Sequence, residues 1–222
     1  MAKKKLQRFG EIKTFPHVFE FNHHEVTKGF PMAGHWRDTF FSNTNPIVLE
    51  LGCGKGEYTV GLATRHREKN FIGVDLKGNR IWVGAKQALD AGLKNAAFIR
   101  SRIDFIDYCF APAEVDEIWI TFPDPQPQKT RERKRLTCMR FLERYRKFLK
   151  PGGTIHLKTD SSPLYEYTLE VIQENKFTLL THTSDLYSNP SLYPAELTEI
   201  KTYYEGIFSA KGFKICYLQF NF

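Results

Sequence analysis

The chain has 222 residues, 41% of them hydrophobic and 14% aromatic, enough for one large α/β domain with its own core and too apolar for a disordered chain. Its formal charge of +7 fits a nucleic-acid partner, but many basic proteins bind none, so the placement of the cations has to decide. The cysteines at 53, 109, 138 and 216 stand alone, with no C-x-x-C and no His-x₃₋₅-His spacing, which argues against a zinc site and for a reduced cytoplasmic home.

Residues 1–45 have no clear period. They are rich in Phe, His and Lys, contain Pro16 and Pro31, and read as an extended basic and aromatic arm that includes Lys3, Lys4, Lys5 and Arg8. No apolar h-region follows the lysines, so no signal peptide is expected. No run reaches the ~18 apolar residues of a membrane span. His23 and His24 read as a surface pair rather than a metal site.

From Pro46 to the end, strand and helix patterns alternate, which predicts an open, mostly parallel α/β sheet over 46–222. The first strand, 47–51, runs into a loop with Gly52, Gly54 and Gly56. Glycines there let the backbone turn tightly and let a ligand lie against it. A helix over 57–67 and a strand over 71–75 follow. Asp75 ends that strand 23 residues after Gly52, where a carboxylate can accept from both hydroxyls of a ribose. Glu57 stands where the dinucleotide pattern G-x-G-x-x-G needs its last glycine, which disfavours a nicotinamide oxidoreductase.

The pattern continues with a helix over 78–91 and strands over 97–100 and 117–121. The last of these runs straight into Trp119-Ile-Thr-Phe-Pro-Asp-Pro-Gln-Pro. Proline fixes φ on both sides of Asp124, at the sheet edge where open α/β folds bind ligands. The bland alternative is an Asp in a proline-rich turn. Residues 129–135, Lys-Thr-Arg-Glu-Arg-Lys-Arg, then carry five cations and one anion. A cationic run beside a ligand edge favours polyanion binding over a merely solvated face. A helix is predicted over 134–149, with Leu136, Met139, Leu142, Tyr145 and Leu149 on one face. Gly152-Gly153 stops it. A strand over 154–159, a helix over 162–175, a strand over 177–183, a helix over 197–210 and a strand over 213–222 complete the pattern, seven strands in all. His156, in mid-strand, reads as a satisfied core histidine.

Four segments, in this order, carry a family resemblance. Glu50 with the glycine loop and Asp75 resembles the first motif of S-adenosylmethionine (SAM)-dependent methyltransferases. Phe122-Pro-Asp-Pro before a basic run resembles the signature of the bacterial tRNA (guanine-N7-)-methyltransferases. Leu149-Lys-Pro-Gly-Gly-Thr-Ile-His-Leu-Lys-Thr-Asp160 resembles that family's fifth-strand motif, and Thr202-Tyr-Tyr-Glu205 its C-terminal motif. The resemblance covers roughly residues 46–222. It implies a Rossmann-like class I methyltransferase fold. It also implies a tRNA substrate methylated at a guanine N-7 in the variable loop, with SAM as cofactor, S-adenosylhomocysteine as its product and no metal.

For the residues, the resemblance implies SAM contacts at Glu50, Gly52, Gly54, Gly56, Asp75 and Asp124, with Asp124 also catalytic. The family's acidic residue near the adenine aligns with Arg102, and Asp104 lies two places on. Guanosine or tRNA contacts are implied at Asp160, Thr202, Tyr203, Tyr204 and Glu205. Where the family often has Trp and Lys after its Pro-Asp-Pro, this chain has Gln126 and Gln128, with Lys129 one place later; Gln128 and Lys129 are the candidates there. A monomer or homodimer is expected.

The chemistry suits these residue types. Guanine N-7 is a lone pair with no proton, so attack on a sulfonium methyl needs in-line positioning and a dry site more than a general base. A carboxylate such as Asp124 or Asp160 can hold the ring's N-1 and N-2 donors while positive charge reaches the ring. The competing readings are a SAM-dependent methyltransferase acting on another RNA or a small molecule, and a non-catalytic RNA-binding protein.

Overall fold

The computed structural model describes residues 2–21 and 23–222. Met1 and Asn22, both in the segment expected as an arm, lie outside the described residues, as do the side chains of Lys3, Lys4, Lys5 and His23. The strands are β1 Val18–Glu20, β2 Ile47–Leu51, β3 Asn70–Asp75, β4 Ala96–Arg100, β5 Val115–Thr121, β6 Leu149–Thr159, β7 Thr178–Thr183 and β8 Cys216–Asn221. They form one sheet in the order β1-β4-β3-β2-β5-β6-β8-β7. Every pairing is parallel except the two made by β8. This is the mostly parallel, Rossmann-like sheet the sequence predicts.

The helices are α1 Ala2–Ile12, α2 His23–Val26, α3 Glu57–Arg65, α4 Gly78–Asp90, α5 Met139–Tyr145, α6 Ser162–Glu174, α7 Glu196–Glu199 and α8 Tyr203–Ala210. Strand β2 is buried at all five positions, as a central parallel strand covered on both faces should be. Alternation along it sends Leu49 and Leu51 into one apolar cluster with Phe141, Tyr145 and Ile172. It sends Val48 into the other, with Tyr58, Ile81 and Trp119. Helix α6 starts where Ser161 accepts from the Leu164 amide, with Pro163 in the first turn, a local stop-start signal of the usual kind. Among the described residues no helix is long and apolar enough to cross a membrane.

The structure differs from expectation in three places. Seven strands were expected, and the eighth is β1, drawn from the segment expected to be an extended arm. Its Val18–Glu20 pairs with Phe98–Arg100 of β4. In the same segment, α1 packs on α4, and Trp36–Phe41 forms a π-helical turn whose Trp36 indole donates to the Cys109 carbonyl. The helix expected over 134–149 is shorter. Lys129–Lys134 forms a 3₁₀ turn, Arg135 is extended, and only Met139–Tyr145 is α-helical. Leu149 already pairs with Val115 in the sheet. The helix expected over 197–210 is two, α7 and α8, because the Thr202 side chain caps a fresh start by accepting from the Glu205 amide.

Candidate active site

The parallel order brings the carboxyl ends of β3, β2, β5 and β6 side by side, and the chain reverses its direction of winding at β2. That crevice is the ligand edge of an open α/β sheet. Gly52, Asp75, Asp124 and Asp160 all leave strands there. In the glycine loop the amides of Gly52 and Cys53 donate to the Val74 carbonyl, which ties the loop across to β3. Gly56 has φ +75°, and a Cβ there would lie 2.9 Å from the Phe98 ring and 3.1 Å from Gly84. Both backbone sign and packing demand glycine at 56. Gly52, at φ +79°, is the opposite case. A Cβ there would meet nothing within 4 Å, so its outer face is open to a ligand.

Glu50 is buried beneath this loop. Its carboxylate accepts from the Thr59 amide at 2.8 Å, the Thr59 hydroxyl at 2.5 Å and the Thr121 hydroxyl at 2.6 Å. Three of about four acceptor sites are used, and they join α3 to the end of β5. Burial pushes its pKa up to about 7, against the pull of those hydrogen bonds. Asp75 accepts from the amides of Gly54 at 3.0 Å and Lys77 at 2.7 Å. It holds the loop and the start of α4 together, with lone pairs to spare.

Asp124 sits in an exposed turn where its Oδ1 accepts from the Gln126 amide at 3.1 Å. Phe122 and Gln126, two residues to either side, have φ +47° and +46°. Non-glycine residues rarely adopt that conformation, and such outliers gather where a turn must aim a side chain. The Arg135 guanidinium donates to the Gln126 carbonyl and lies 4.2 Å from the Tyr167 ring centroid. It braces the turn, so this member of the cationic run is directed inward. Gln128 and Lys129 are exposed, at the entry to the 3₁₀ turn.

Asp160 is half-buried, and burial raises its pKa. Two residues before it, Lys158 is fully buried and pairs with the equally buried Glu205 at 2.7 Å. Its Nζ also donates to Tyr58 and to the Leu197 carbonyl. Burial pulls the Lys158 pKa down, and the Glu205 carboxylate opposes it. Glu205 takes a further hydrogen bond from Tyr187. Of the C-terminal motif, then, Thr202 caps a helix and Glu205 points inward, while Tyr203 and Tyr204 are exposed.

Two clefts meet at Gly52. The larger, about 740 Å³, runs from Gly52 and Asp75 past Ser101–Asp104 to Leu136, Phe141 and the cations Arg133, Lys134 and Arg140. Apolar Ile103, Leu136 and Phe141 with a carboxylate at Asp75 offer the surroundings an adenosine needs. Arg102 pairs with Asp104 at 3.3 Å, and Arg140 with the same carboxylate at 2.5 Å. Burial pushes Asp104 up, but the two guanidinium groups bring it below the ordinary carboxylate value. The smaller cleft, about 150 Å³, lies between the glycine loop and α8, lined by Gly54, Thr121, Phe122, Thr202, Tyr203 and Tyr204 among others. Of the expected residues, Gly52, Gly54, Asp75, Arg102, Thr202, Tyr203 and Tyr204 line the two clefts, Glu50, Gly56 and Glu205 are buried, and Asp124, Gln128, Lys129 and Asp160 line neither cleft.

Sequence reasoning missed Thr59, Thr121 and Lys158. Strand alternation offered a signal for the last, since it places a lysine on the same face as buried His156. That histidine is satisfied as expected: its Nδ1 is 2.8 Å from the Tyr217 hydroxyl and its ring stacks on Trp119 at 4.1 Å.

Residues 44–217 match a protein family described as "Putative methyltransferase". The tRNA (guanine-N(7)-)-methyltransferase of Bacteroides thetaiotaomicron is 49% identical over 222 residues, covering 100% of this chain and 86% of that protein. The enzyme of the same description from Christiangramia forsetii is 49% identical over 221 residues, covering 99% and 98%. Among solved structures, the 16S rRNA methyltransferase KamB superposes with a TM-score of 0.61 at 16% identity, over 90% of this chain and 94% of that one.

Proposed function

The chain belongs to the tRNA (guanine-N(7)-)-methyltransferase family, and from that premise we infer that it is an enzyme that methylates N-7 of a guanine in tRNA, using S-adenosylmethionine. We place the target guanine in the variable loop, with S-adenosylhomocysteine as the second product. The observation that carries this reading is one cleft with the open face of Gly52 and the Asp75 carboxylate at one end and Arg133, Lys134 and Arg140 at the other.

The cofactor supplies an electrophilic methyl group on a sulfonium sulfur. The residues present fit it. The glycine loop leaves space that a side chain would fill, and Asp75 offers acceptors for ribose hydroxyls. Asp104, held by Arg102 and Arg140, brings an acidic group to the adenine end. Glu50 shapes the cradle by fixing Thr59 and Thr121. Because N-7 carries no proton, the protein's task is to orient the guanine and exclude water. Asp124 and Asp160, on neighbouring strand ends, hold the ring's N–H donors, and their charge opposes the positive charge that develops there. The exposed cations of the 129–134 turn bind tRNA phosphates. Incubation with labelled SAM and bulk tRNA, followed by nucleoside analysis, tests the reading. The expected label is in 7-methylguanosine; label in another nucleoside, or none, overturns it.

A further inference from the structure

We propose that Lys55 and Arg80 form a second, cationic rim of the substrate cleft and bind a backbone phosphate flanking the target guanosine; this rests on the tRNA reading above. Lys55 lies inside the cofactor loop, between Gly54 and Gly56. Its Nζ is 3.9 Å from the centroid of the Tyr203 ring. Arg80, in the first turn of α4, donates to the Tyr204 hydroxyl at 2.9 Å, and its guanidinium lies 5.7 Å from that ring's centroid. All four side chains line the smaller cleft, whose far wall is Thr121 and Phe122 at the approach to Asp124.

Three features point to an external anion. The first is missing compensation. Among the described residues neither Lys55 nor Arg80 pairs with a carboxylate, whereas Arg102 and Arg140 share Asp104, and Arg144 and Lys147 share Asp107. Glu57, the one carboxylate lining the smaller cleft among the described residues, accepts from the Tyr203 amide at 3.4 Å and forms no ion pair with either cation. The second is the way the two cations are held. Aromatic faces attract a cation without neutralising it, so each charge stays available at the cleft mouth. Tyr203 and Tyr204 are 55% and 39% exposed, so the pairs sit where a partner can reach them. The third is position. Of the 129–134 turn, Arg133 and Lys134 line the larger cleft and not the smaller one. A nucleotide drawn into a cleft keeps one phosphate on either side of its sugar. The basic turn serves one side, and the Lys55–Arg80 pair stands on the other.

The test compares Lys55→Ala/Arg80→Ala with the parent enzyme. Tritiated SAM and tRNA are used to follow the apparent tRNA affinity across a salt series, and calorimetry gives SAM affinity. The double substitution is expected to weaken tRNA binding and to make the slope of log K against log salt shallower by about one to two units, near one per phosphate contact. SAM affinity should stay at the parent value. Lys55→Arg/Arg80→Lys keeps both charges and should keep the parent slope. Arg131→Ala/Arg133→Ala/Lys134→Ala, on the opposite rim, gives the scale for a comparable loss. An unchanged slope in the Lys55→Ala/Arg80→Ala enzyme overturns the proposal. So does a loss confined to SAM affinity, which would assign these cations to the cofactor's carboxylate. Formation of 7-methylguanosine by the parent enzyme tests the underlying reading separately.

Discussion

Asp124 gains its aim from its neighbours rather than from burial. Two positive-φ residues and the Arg135 brace shape a turn that leaves the carboxylate exposed. Asp124→Asn keeps size and removes charge, so it should slow methyl transfer by about 100- to 1000-fold, the usual effect of losing one preorganised electrostatic contact. Asp160→Asn should act mainly on apparent tRNA affinity. Single-turnover rates at saturating SAM and tRNA distinguish them, and an Asp124→Asn rate within about threefold of the parent, under ~0.7 kcal/mol of barrier, would make the turn structural. Glu50 carries a different prediction. Its pKa in the fold, about 7, lies above the ordinary 4.5. A raised carboxyl pKa means its contribution to stability is complete below pH ~4.5 and is lost as pH rises through ~7, by roughly 2–4 kcal/mol. Glu50→Gln cannot ionise and should lack that loss. Urea unfolding of the ligand-free protein at pH 5 and pH 8 checks it; parallel pH dependences in parent and variant would defeat the idea.

Among the elements, the strand β6 and the helix α8 are joined by a buried ion pair. Lys158 and Glu205 are both fully buried, and desolvating two charges consumes most of their attraction. Removing one partner strands the other, so Lys158→Met or Glu205→Leu alone should destabilise by about 3–5 kcal/mol. The double variant should recover much of this, because no charge is then left buried. Denaturant unfolding of all four proteins supplies the cycle, and additive losses would show that the two side chains act independently. The pair also explains why Thr202-Tyr-Tyr-Glu205 is more than a surface motif. Its threonine starts α8, its glutamate fastens the helix to the sheet, and its two tyrosines are thereby presented at the smaller cleft.

Across the whole molecule, the N-terminal segment is part of the core rather than an appendage. Ile12 is fully buried and Phe15 nearly so, α1 covers α4, and β1 closes the β4 edge. Deleting residues 1–20 should lower stability by about 3–6 kcal/mol, at ~1.5–3 for each of these two apolar side chains, with the exposed β4 edge as a further liability. Urea unfolding and light scattering measure both, and parent-like stability in the truncated chain would refute the account. The segment escaped sequence reading because β1 is three residues long and finds its partner 80 positions away. Seven strands, the glycine loop, the proline-flanked Asp124 and the cationic turn were legible because each is written over a few consecutive residues. Apolar runs, glycine φ and proline φ act within one strand or one turn. Other features required the sheet order itself. Thr121 meets Glu50 across 71 positions, and Lys158 meets Glu205 from separate elements. Local pattern shows that a residue is ionisable or polar. Only the packing of distant elements decides whether it is buried, which partner satisfies it, and therefore whether it serves the ligand or holds the cleft in shape.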